Sequence, residues 1–306
     1  MASHRRFPFS PLPKGEVSPR HEPGHWYDLV RRDCEIIRWF VEHEMRLKFR
    51  ASPLGDLIEL YDKVDPNVPA PPIEALSTEV ARFGLQITAQ FQRLAWAVRA
   101  LYGNDAVKQI DASFVTCEVL DADTKERSAQ RKLPGGIGTL MFAGRLVQVG
   151  GGRVRINGNR IAGHDIRWVT ATGDLVLVER KDRSYEAGLK DTADKRVRRV
   201  IDEITKARIP NERGACRILT VGFQHLVRED EIQKIDRLYQ SVLKKAFKHA
   251  KFKGSLPHFV VVEHLGLEPR TGGQKSDFFS PQAIHWNRAA QRMQPLLVAA
   301  LGAKPD

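Results

Sequence analysis

Apolar residues recur every three or four positions in several long stretches of the chain, which is the spacing of helices that bury one face. Helices are therefore predicted over residues 26–50, 54–61, 73–102, 195–208, 229–250 and 282–301. The Pro-rich run 66–72 is predicted to be a stiff linker or a helix stop.

Shorter apolar runs, bounded by turn residues or charges, indicate strands. Strands are predicted over residues 114–120, 139–149, 153–156, 175–181, 215–223 and 258–263, with a turn over 133–138. Strands and helices alternate between residues 175 and 263, which predicts an α/β sheet with crossover connections. A region that contains Gly and Pro, 266–282, follows the last predicted strand.

The chain divides into three parts that differ in pattern. Residues 1–25 are rich in proline and basic residues, and they are predicted to form a disordered or loosely docked tail. Residues 26–105 form a helical N-terminal region, and residues 106–306 form the α/β domain. The helices over 26–102 are also a candidate surface for a protein partner or for self-association.

Positive charge is the feature of the composition that bears most on function. The 306 residues carry a formal net charge of +12, which favours a polyanionic partner such as nucleic acid. No apolar run approaches 18 residues, so no membrane span is predicted. The N-terminus lacks the apolar core of a signal peptide, which predicts an intracellular, cytoplasmic protein. Cys34, Cys117 and Cys216 are scattered and form neither a zinc pattern nor a disulfide framework.

Residues 161–181 are predicted to form a β-hairpin, because two apolar runs flank a short turn that contains Gly173. Alternate side chains of a strand share a face, so Glu179 and Lys181 point the same way. If the loop has three residues and Gly173 takes the left-handed conformation, Asp165 lies directly opposite Glu179. A two-residue loop would instead place Asp165 on the other face, across from Arg180.

Two carboxylates that face each other are unfavourable unless a cation offsets them. Lys181 can do so in part. A divalent cation can do more, because carboxylate oxygens suit a hard ion such as Mg²⁺, with Mn²⁺ as the alternative. A metal-bound water is a better nucleophile near neutral pH, and the metal also stabilises charge on a phosphate. The constellation therefore suits phosphodiester hydrolysis.

Asp165, thirteen intervening residues and then Glu179-Arg180-Lys181 at the end of an apolar strand resemble the PD-(D/E)XK nuclease superfamily. The resemblance covers roughly residues 150–265. It implies a restriction-endonuclease-like core with a mixed central sheet flanked by helices, a Mg²⁺ site, and cleavage of DNA or, less often, RNA. It carries Asp165 and Glu179 over as metal ligands and Lys181 as the catalytic lysine. His164 stands where the name-giving proline would be.

Members of this superfamily usually have a further Glu on a helix upstream of the sheet. Glu74 and Glu79 near the start of the predicted helix 73–102 are two candidates, although acidic residues there are also ordinary partners of the helix dipole. Glu118, flanked by apolar residues, is the third.

The predicted helix 195–208 follows the acidic site and has a strongly basic surface. Its candidates for holding a nucleic-acid backbone are Lys195, Arg196, Arg198 and Arg199. A solvated helix face is the alternative interpretation of the same residues.

Two other interpretations of the motif stay open. Glu179-Arg180-Lys181 could be a strand that simply emerges into solvent, and the same acid-X-Lys spacing recurs at Asp123-Thr124-Lys125 in a polar stretch. The chain could also be a catalytically inactive protein on the same fold that binds nucleic acid or acts as a scaffold.

Overall fold

A computed structural model describes residues 7–17, 19, 26–49, 53–63, 78–120, 129–158, 164–183, 193–207, 209–224, 237, 257–266, 278–285 and 292–301. In these residues, seven strands form one mixed sheet, and helices pack against it. The predicted α/β class, with a mixed central sheet flanked by helices, is therefore confirmed.

The strands lie side by side in the order in which they occur along the chain. They are β1 (Val107–Ile110), β2 (Arg153–Ile156), β3 (Ile166–Val169), β4 (Leu175–Arg183), β5 (Cys216–Gln224), β6 (Phe259–Gly266) and β7 (Phe278–His285). Strands β2, β3 and β4 form an antiparallel meander, and β7 is antiparallel to β6. The pairs β1–β2, β4–β5 and β5–β6 are parallel.

The described helices precede, connect and follow these strands. They are α1 (Trp26–Arg38), which continues as a π-helical segment (Trp39–Glu44), α2 (Pro53–Asp62), α3 (Thr78–Tyr102), the short α4 (Ala112–Phe114), which continues as a π-helical segment (Val115–Val119), α5 (Ala129–Gly150), α6 (Ala193–Lys206) and α7 (Gln294–Ala300). None of them is long and apolar enough to cross a membrane.

The sheet has a buried apolar layer on each face. Val176 and Val178 of β4 join the cluster beneath α5, and α3 packs on α5 from outside. Leu177 points to the opposite face, where α6 packs against β5 and buries Val200 and Ile204. The cluster beneath α5 also includes residues of α1 and α3, so it crosses the predicted boundary between residues 26–105 and 106–306.

Helix α5 differs most from the sequence-based expectation, because residues 133–138 were predicted as a turn and 139–149 as a strand. Every residue from 136 to 147 is buried, so α5 is enclosed on all sides over this stretch and has no exposed polar face that would mark it as a helix in the sequence. The prediction was wrong because glycine is a poor helix former in isolation. Here the glycines permit close packing: a Cβ at Gly136 would collide with the backbone of Glu118, and one at Gly144 with Ala100.

Two further predictions are corrected. Residues 114–120, predicted as a strand, are helical from Ala112 to Val119, where the Asp111 side chain accepts a hydrogen bond from the Ser113 N–H and caps the first turn. Residues 282–301 were predicted as a helix, but residues 282–285 belong to β7 (Phe278–His285), and the described helix covers only Gln294–Ala300.

Residues 7–17 of the predicted N-terminal tail pack against the helices. The ring of Phe7 lies edge-on to Trp39 at 4.9 Å between centroids. Trp96 Nε1 donates to the buried Glu16 carboxylate at 3.3 Å. Arg145 Nε donates to the Val17 carbonyl at 2.8 Å.

Several predicted features lie outside the described residues. These are the linker 66–72, the polar segment around Asp123-Thr124-Lys125, and the helix 229–250 apart from its residue 237. The remaining predicted helices and strands are present with shifted ends, and Cys34, Cys117 and Cys216 are free thiols, as expected.

A buried ionic cluster joins the sheet to α5. Arg180 Nη1 on β4 donates to Glu263 Oε2 on β6 at 2.6 Å, and Arg145 Nη1 on α5 donates to Glu263 Oε1 at 3.2 Å. Each of these side chains is at most 5% exposed. Gly138 lets the Arg180 guanidinium pass close to α5, because a Cβ there would overlap it. Burial alone would raise the pKa of Glu263, but Arg180 and Arg145 outweigh it and hold the pKa below its ordinary value.

Glu263→Gln is expected to lower the free energy of unfolding at neutral pH by about 3–5 kcal/mol, because two buried guanidinium groups would lose their counter-charge. Urea denaturation measures the loss. Since the folded-state pKa of Glu263 is depressed, its contribution is present above the unfolded value of about 4.3 and fades as the pH falls below it.

The matched control is Glu212→Gln. Glu212 also binds an arginine, Arg167, but both side chains are more than one-third exposed, so the same change should cost at most about 1 kcal/mol. Equal losses in the two variants would contradict the role given to the buried cluster.

Candidate active site

The turn between β3 and β4 sets the alignment of the two strands. The Gly173 N–H donates to the Thr170 carbonyl at 3.0 Å, and the Thr170 N–H donates to the Asp174 carbonyl at 2.9 Å. Gly173 has φ of +88°, which glycine adopts without the steric cost that other residues meet. The Thr170 hydroxyl also accepts from the Asp174 N–H at 2.9 Å. The loop therefore has three residues, as the first of the two predicted arrangements requires.

This turn fixes the register of β3 and β4 as far as the residue after Asp165. Ile166 pairs with Val178 and Val169 with Leu175. Asp165 precedes β3, and its N–H donates to the Val178 carbonyl, although Val178 is already across from Ile166, so the regular alternation ends at Asp165. Glu179 shares its face with Leu177, opposite to the layer beneath α5. The predicted three-residue loop is present, and the position of Asp165 directly across from Glu179 stays a prediction.

The Asp165 carboxylate is fixed by the backbone of β4. Strand β4 extends beyond the point where β3 begins, so the Arg180 N–H has no strand carbonyl opposite it on this side. Asp165 Oδ2 takes the place of that carbonyl and accepts from the Arg180 N–H at 2.6 Å. The Asp165 N–H donates in turn to the Val178 carbonyl at 2.8 Å. The carboxylate is thereby held at one position beside β4.

Glu179 and Lys181 form an ion pair on the same face. Lys181 Nζ lies 2.8 Å from Glu179 Oε1. The Glu179 side chain is only 9% exposed, whereas that of Lys181 is 40% exposed. The Lys181 ammonium group is therefore held beside the Glu179 carboxylate and stays accessible to a ligand from solvent.

The pKa of Asp165 shows that this site resists negative charge. Burial raises the pKa, the Arg180 N–H and the Lys181 ammonium lower it, and the Glu179 carboxylate raises it, with a net increase above the ordinary value. Glu179 is thus close enough to act on Asp165 through its charge.

Of the three upstream candidates, the structure describes the side chain of Glu118 alone, and it lies away from this face. Glu118 lies on the helical segment after α4, which packs against α5 and so on the other side of the sheet. Glu74 and the side chain of Glu79 lie outside the described residues. Among the described residues, no group of three or more His, Cys, Asp or Glu side chains is placed to hold a metal ion.

The basic residues Lys195, Arg198 and Arg199 lie in the first half of α6, which follows β4 along the chain. Helix α6 connects two parallel strands, so it runs back along the sheet and its first turn is near the carboxyl end of β4. Lys195 and Arg198 are exposed and Arg199 is half-buried, whereas the side chain of Arg196 lies outside the description.

Sequence reasoning missed the part that Arg180 plays. Its backbone N–H fixes Asp165 on one face, and its side chain reaches the buried Glu263 on the other. A signal was present, because alternation along β4 puts Arg180 in line with the buried Val176 and Val178. A charge at such a position requires a buried partner, although the identity of that partner, 83 residues away, is not encoded locally.

Asp165→Asn is expected to raise the free energy of unfolding at neutral pH in EDTA. The amide removes a charge that burial and Glu179 oppose, and its oxygen can still accept from the Arg180 N–H. A raised carboxyl pKa means that the folded protein holds the proton more tightly, so its stability falls as the pH rises above the unfolded value of about 3.9. The advantage of the variant should therefore shrink as the pH is lowered towards that value.

Urea denaturation at a series of pH values measures the difference. Asp202→Asn, at an exposed position of α6, serves as the control and should show no comparable trend. A wild-type protein as stable as Asp165→Asn at neutral pH would contradict the electrostatic description of the site.

Comparison with known proteins assigns neither a family nor a function to this site. A scan against family models found no match, and searches of curated proteins and of solved structures found no significant match. The function is therefore argued from the residues themselves.

Proposed function

We propose that the protein is a metal-dependent nuclease that hydrolyses phosphodiester bonds in nucleic acid, with DNA as the expected substrate. The observation that carries the proposal is the gathering of three groups beside β4: the Asp165 carboxylate is bound to the Arg180 N–H, the charge of Glu179 acts on it, and the Lys181 ammonium lies 2.8 Å from Glu179. This is the constellation that the PD-(D/E)XK resemblance requires, and the mixed sheet flanked by helices is the architecture that it implies.

The two carboxylates fit a hard divalent cation. Asp165 and Glu179 offer only oxygen donors, and Mg²⁺ is commonly bound by one or two carboxylates while it keeps waters and takes phosphate oxygens. Burial is the main cause of the raised pKa of Asp165, and the neighbouring Glu179 adds to it, so a bound cation would stabilise the ionised carboxylate. Mg²⁺, or Mn²⁺ as the alternative, would be held by these two residues and would supply an activated water and charge stabilisation on the phosphate.

Lys181 is suited to act on the reacting phosphate. Its ion pair with Glu179 fixes the ammonium beside the carboxylates, and its partial exposure leaves donors free to turn towards a substrate. In the proposed reaction the ammonium orients the attacking water and offsets negative charge that develops on the phosphate oxygens. The Arg180 N–H keeps Asp165 in place throughout.

A second function, nucleic-acid binding or scaffolding without catalysis, is favoured by one observation. Asp165 is already bound to the Arg180 N–H and Glu179 to Lys181, so the charged groups satisfy one another within the protein. The net charge of +12 suits either function, because counterion release drives nucleic-acid binding with or without cleavage. Cleavage and metal binding distinguish the two.

Lys181→Ala is expected to lower the cleavage rate by on the order of 100-fold or more, because the site loses the group that acts on water and phosphate. The assay follows labelled single- and double-stranded DNA and RNA with Mg²⁺ or with EDTA. Lys206→Ala, at an exposed position at the other end of α6, is the matched control and should retain the wild-type rate. Undiminished hydrolysis by Lys181→Ala would refute the role of Lys181.

Asp165→Ala is expected to weaken Mg²⁺ binding at least about tenfold, equal to about 1.4 kcal/mol, whereas Lys181→Ala should retain it. Titration calorimetry with the metal alone measures both variants. If wild-type protein and Asp165→Ala give the same Mg²⁺ isotherm, the carboxylates do not form the metal site, and the non-catalytic function is the better description.

A further inference from the structure

On the sheet face that Leu177 and Glu179 share, β2 presents exposed side chains among the described residues. Val154 and Ile156 are buried on the α5 side, while the alternate residues Arg153 and Arg155 are exposed on the opposite side. Arg167 on β3 shares that side and is half-buried. We name Arg153, Arg155 and Arg167 the arginine face.

The register concentrates positive charge on the arginine face. Arg155 pairs directly with Arg167, and Arg153 lies two residues along the same strand. Like charges directly opposite each other on a sheet are destabilising. Such a pair therefore indicates that the surface meets an anion from outside or that an acidic side chain compensates it.

Compensation within the protein is incomplete among the described residues. Arg167 Nη1 donates to both carboxylate oxygens of Glu212, at 2.7 and 2.8 Å. Arg153 and Arg155 make no ion pair in this part of the chain, and Asp111, whose pKa Arg155 helps to lower, is already held by the Ser113 N–H.

The same cross-strand row continues to a further uncompensated arginine. Arg217 on β5 lies one strand beyond Leu177, which pairs with Arg167. Arg217 is 8% exposed, and its Nε and Nη1 have no hydrogen-bond partner in the described structure. The row thus carries a further positive charge two strands from Arg167, and in the described part of the chain Glu212 forms the ion pair that partly compensates it.

The arginine face is adjacent to the proposed catalytic carboxylates. Arg167 follows Asp165 by two residues, which is about 6.6 Å along a strand. Arg153 lies a similar distance further on, across from Val169. A polyanionic chain laid along this face would therefore pass from the arginines directly to Asp165 and Glu179.

We propose that the arginine face binds the backbone phosphates of a nucleic-acid strand next to the bond to be cut, and that it contributes more to affinity than the basic start of α6. This inference rests on the proposed function. The planar guanidinium group suits phosphate oxygens, and a flat surface two strands wide offers no aromatic anchors for a protein partner. On α6, by contrast, Lys195 and Arg199 already take part in interactions within the protein.

The test compares two double variants that each remove two positive charges. Arg153→Gln with Arg155→Gln changes the arginine face at exposed positions, and Lys195→Gln with Arg198→Gln changes exposed positions of α6. Fluorescence anisotropy with labelled 20-nucleotide DNA and RNA, single- and double-stranded, gives the affinity in EDTA at several salt concentrations. EDTA prevents metal-dependent cleavage during the measurement.

The arginine-face variant is expected to lose at least about tenfold in affinity. The slope of its affinity against salt, on logarithmic scales, should fall by about 1.8 for two lost phosphate contacts on double-stranded DNA. The logarithm of the affinity should fall less than half as much in the α6 variant as in the arginine-face variant. Equal losses in the two variants, or none in the first, would overturn the inference.

A third variant, Arg153→Lys with Arg155→Lys, keeps the charge and checks that folding is not the cause. It should recover most of the affinity and of the salt dependence, and all variants should unfold at the wild-type temperature. Failure of the lysine variant to recover any affinity would contradict phosphate binding at this face.

The failure of this inference differs from the failure of the proposed function. Arginine-dependent binding without cleavage in Mg²⁺ would leave the inference standing and remove the nuclease proposal. Cleavage with unchanged affinity in the arginine-face variant would overturn the inference alone. Wild-type protein that binds none of the four nucleic acids would also overturn it.

Discussion

The parity of one turn is the constraint on which the candidate site depends. Thr170 and Gly173 close a loop of three residues, and the register that follows aligns Ile166 with Val178, the neighbours of Asp165 and Glu179. One residue more or fewer would shift Asp165 relative to Glu179, because side chains alternate along a strand. The left-handed conformation of Gly173 therefore supports the approach of the two carboxylates.

Strand β4 carries Glu179 and Lys181 on one face of the sheet and Arg180 on the other, and the two sets have different roles. Glu179 and Lys181 lie on the face that Leu177 shares, where the partly exposed Lys181 is available to a ligand. Arg180, between them, sends its side chain into the ionic cluster with Glu263 on the α5 side. Its backbone N–H holds Asp165 at the same time. The position of the acidic pair is thus supported from the buried side of the sheet.

The site was predictable from the sequence to the extent that it is local. The turn residues and the alternation of β4 predict the Asp165–Glu179–Lys181 group within 17 residues, and the structure has the three-residue turn and the Glu179–Lys181 ion pair. The partnership of Arg180 with Glu263 joins strands that are separated by β5, and no local pattern encodes it. Helix α5 was missed for another reason: its glycines oppose helix formation alone, and only the packing against neighbouring helices stabilises it.

The contact of Arg145 with the Val17 carbonyl makes the sheet domain depend on the segment around Val17. The same guanidinium binds Glu263, so a segment near the beginning of the sequence and a strand near its end meet at one side chain. A protein that lacks this first segment would leave Arg145 without the Val17 carbonyl in an apolar layer. The loss would weaken the ionic contact that Arg145 makes with Glu263 on β6. The proline-rich segment is therefore a structural component of the sheet domain, although it lies far from that domain in sequence.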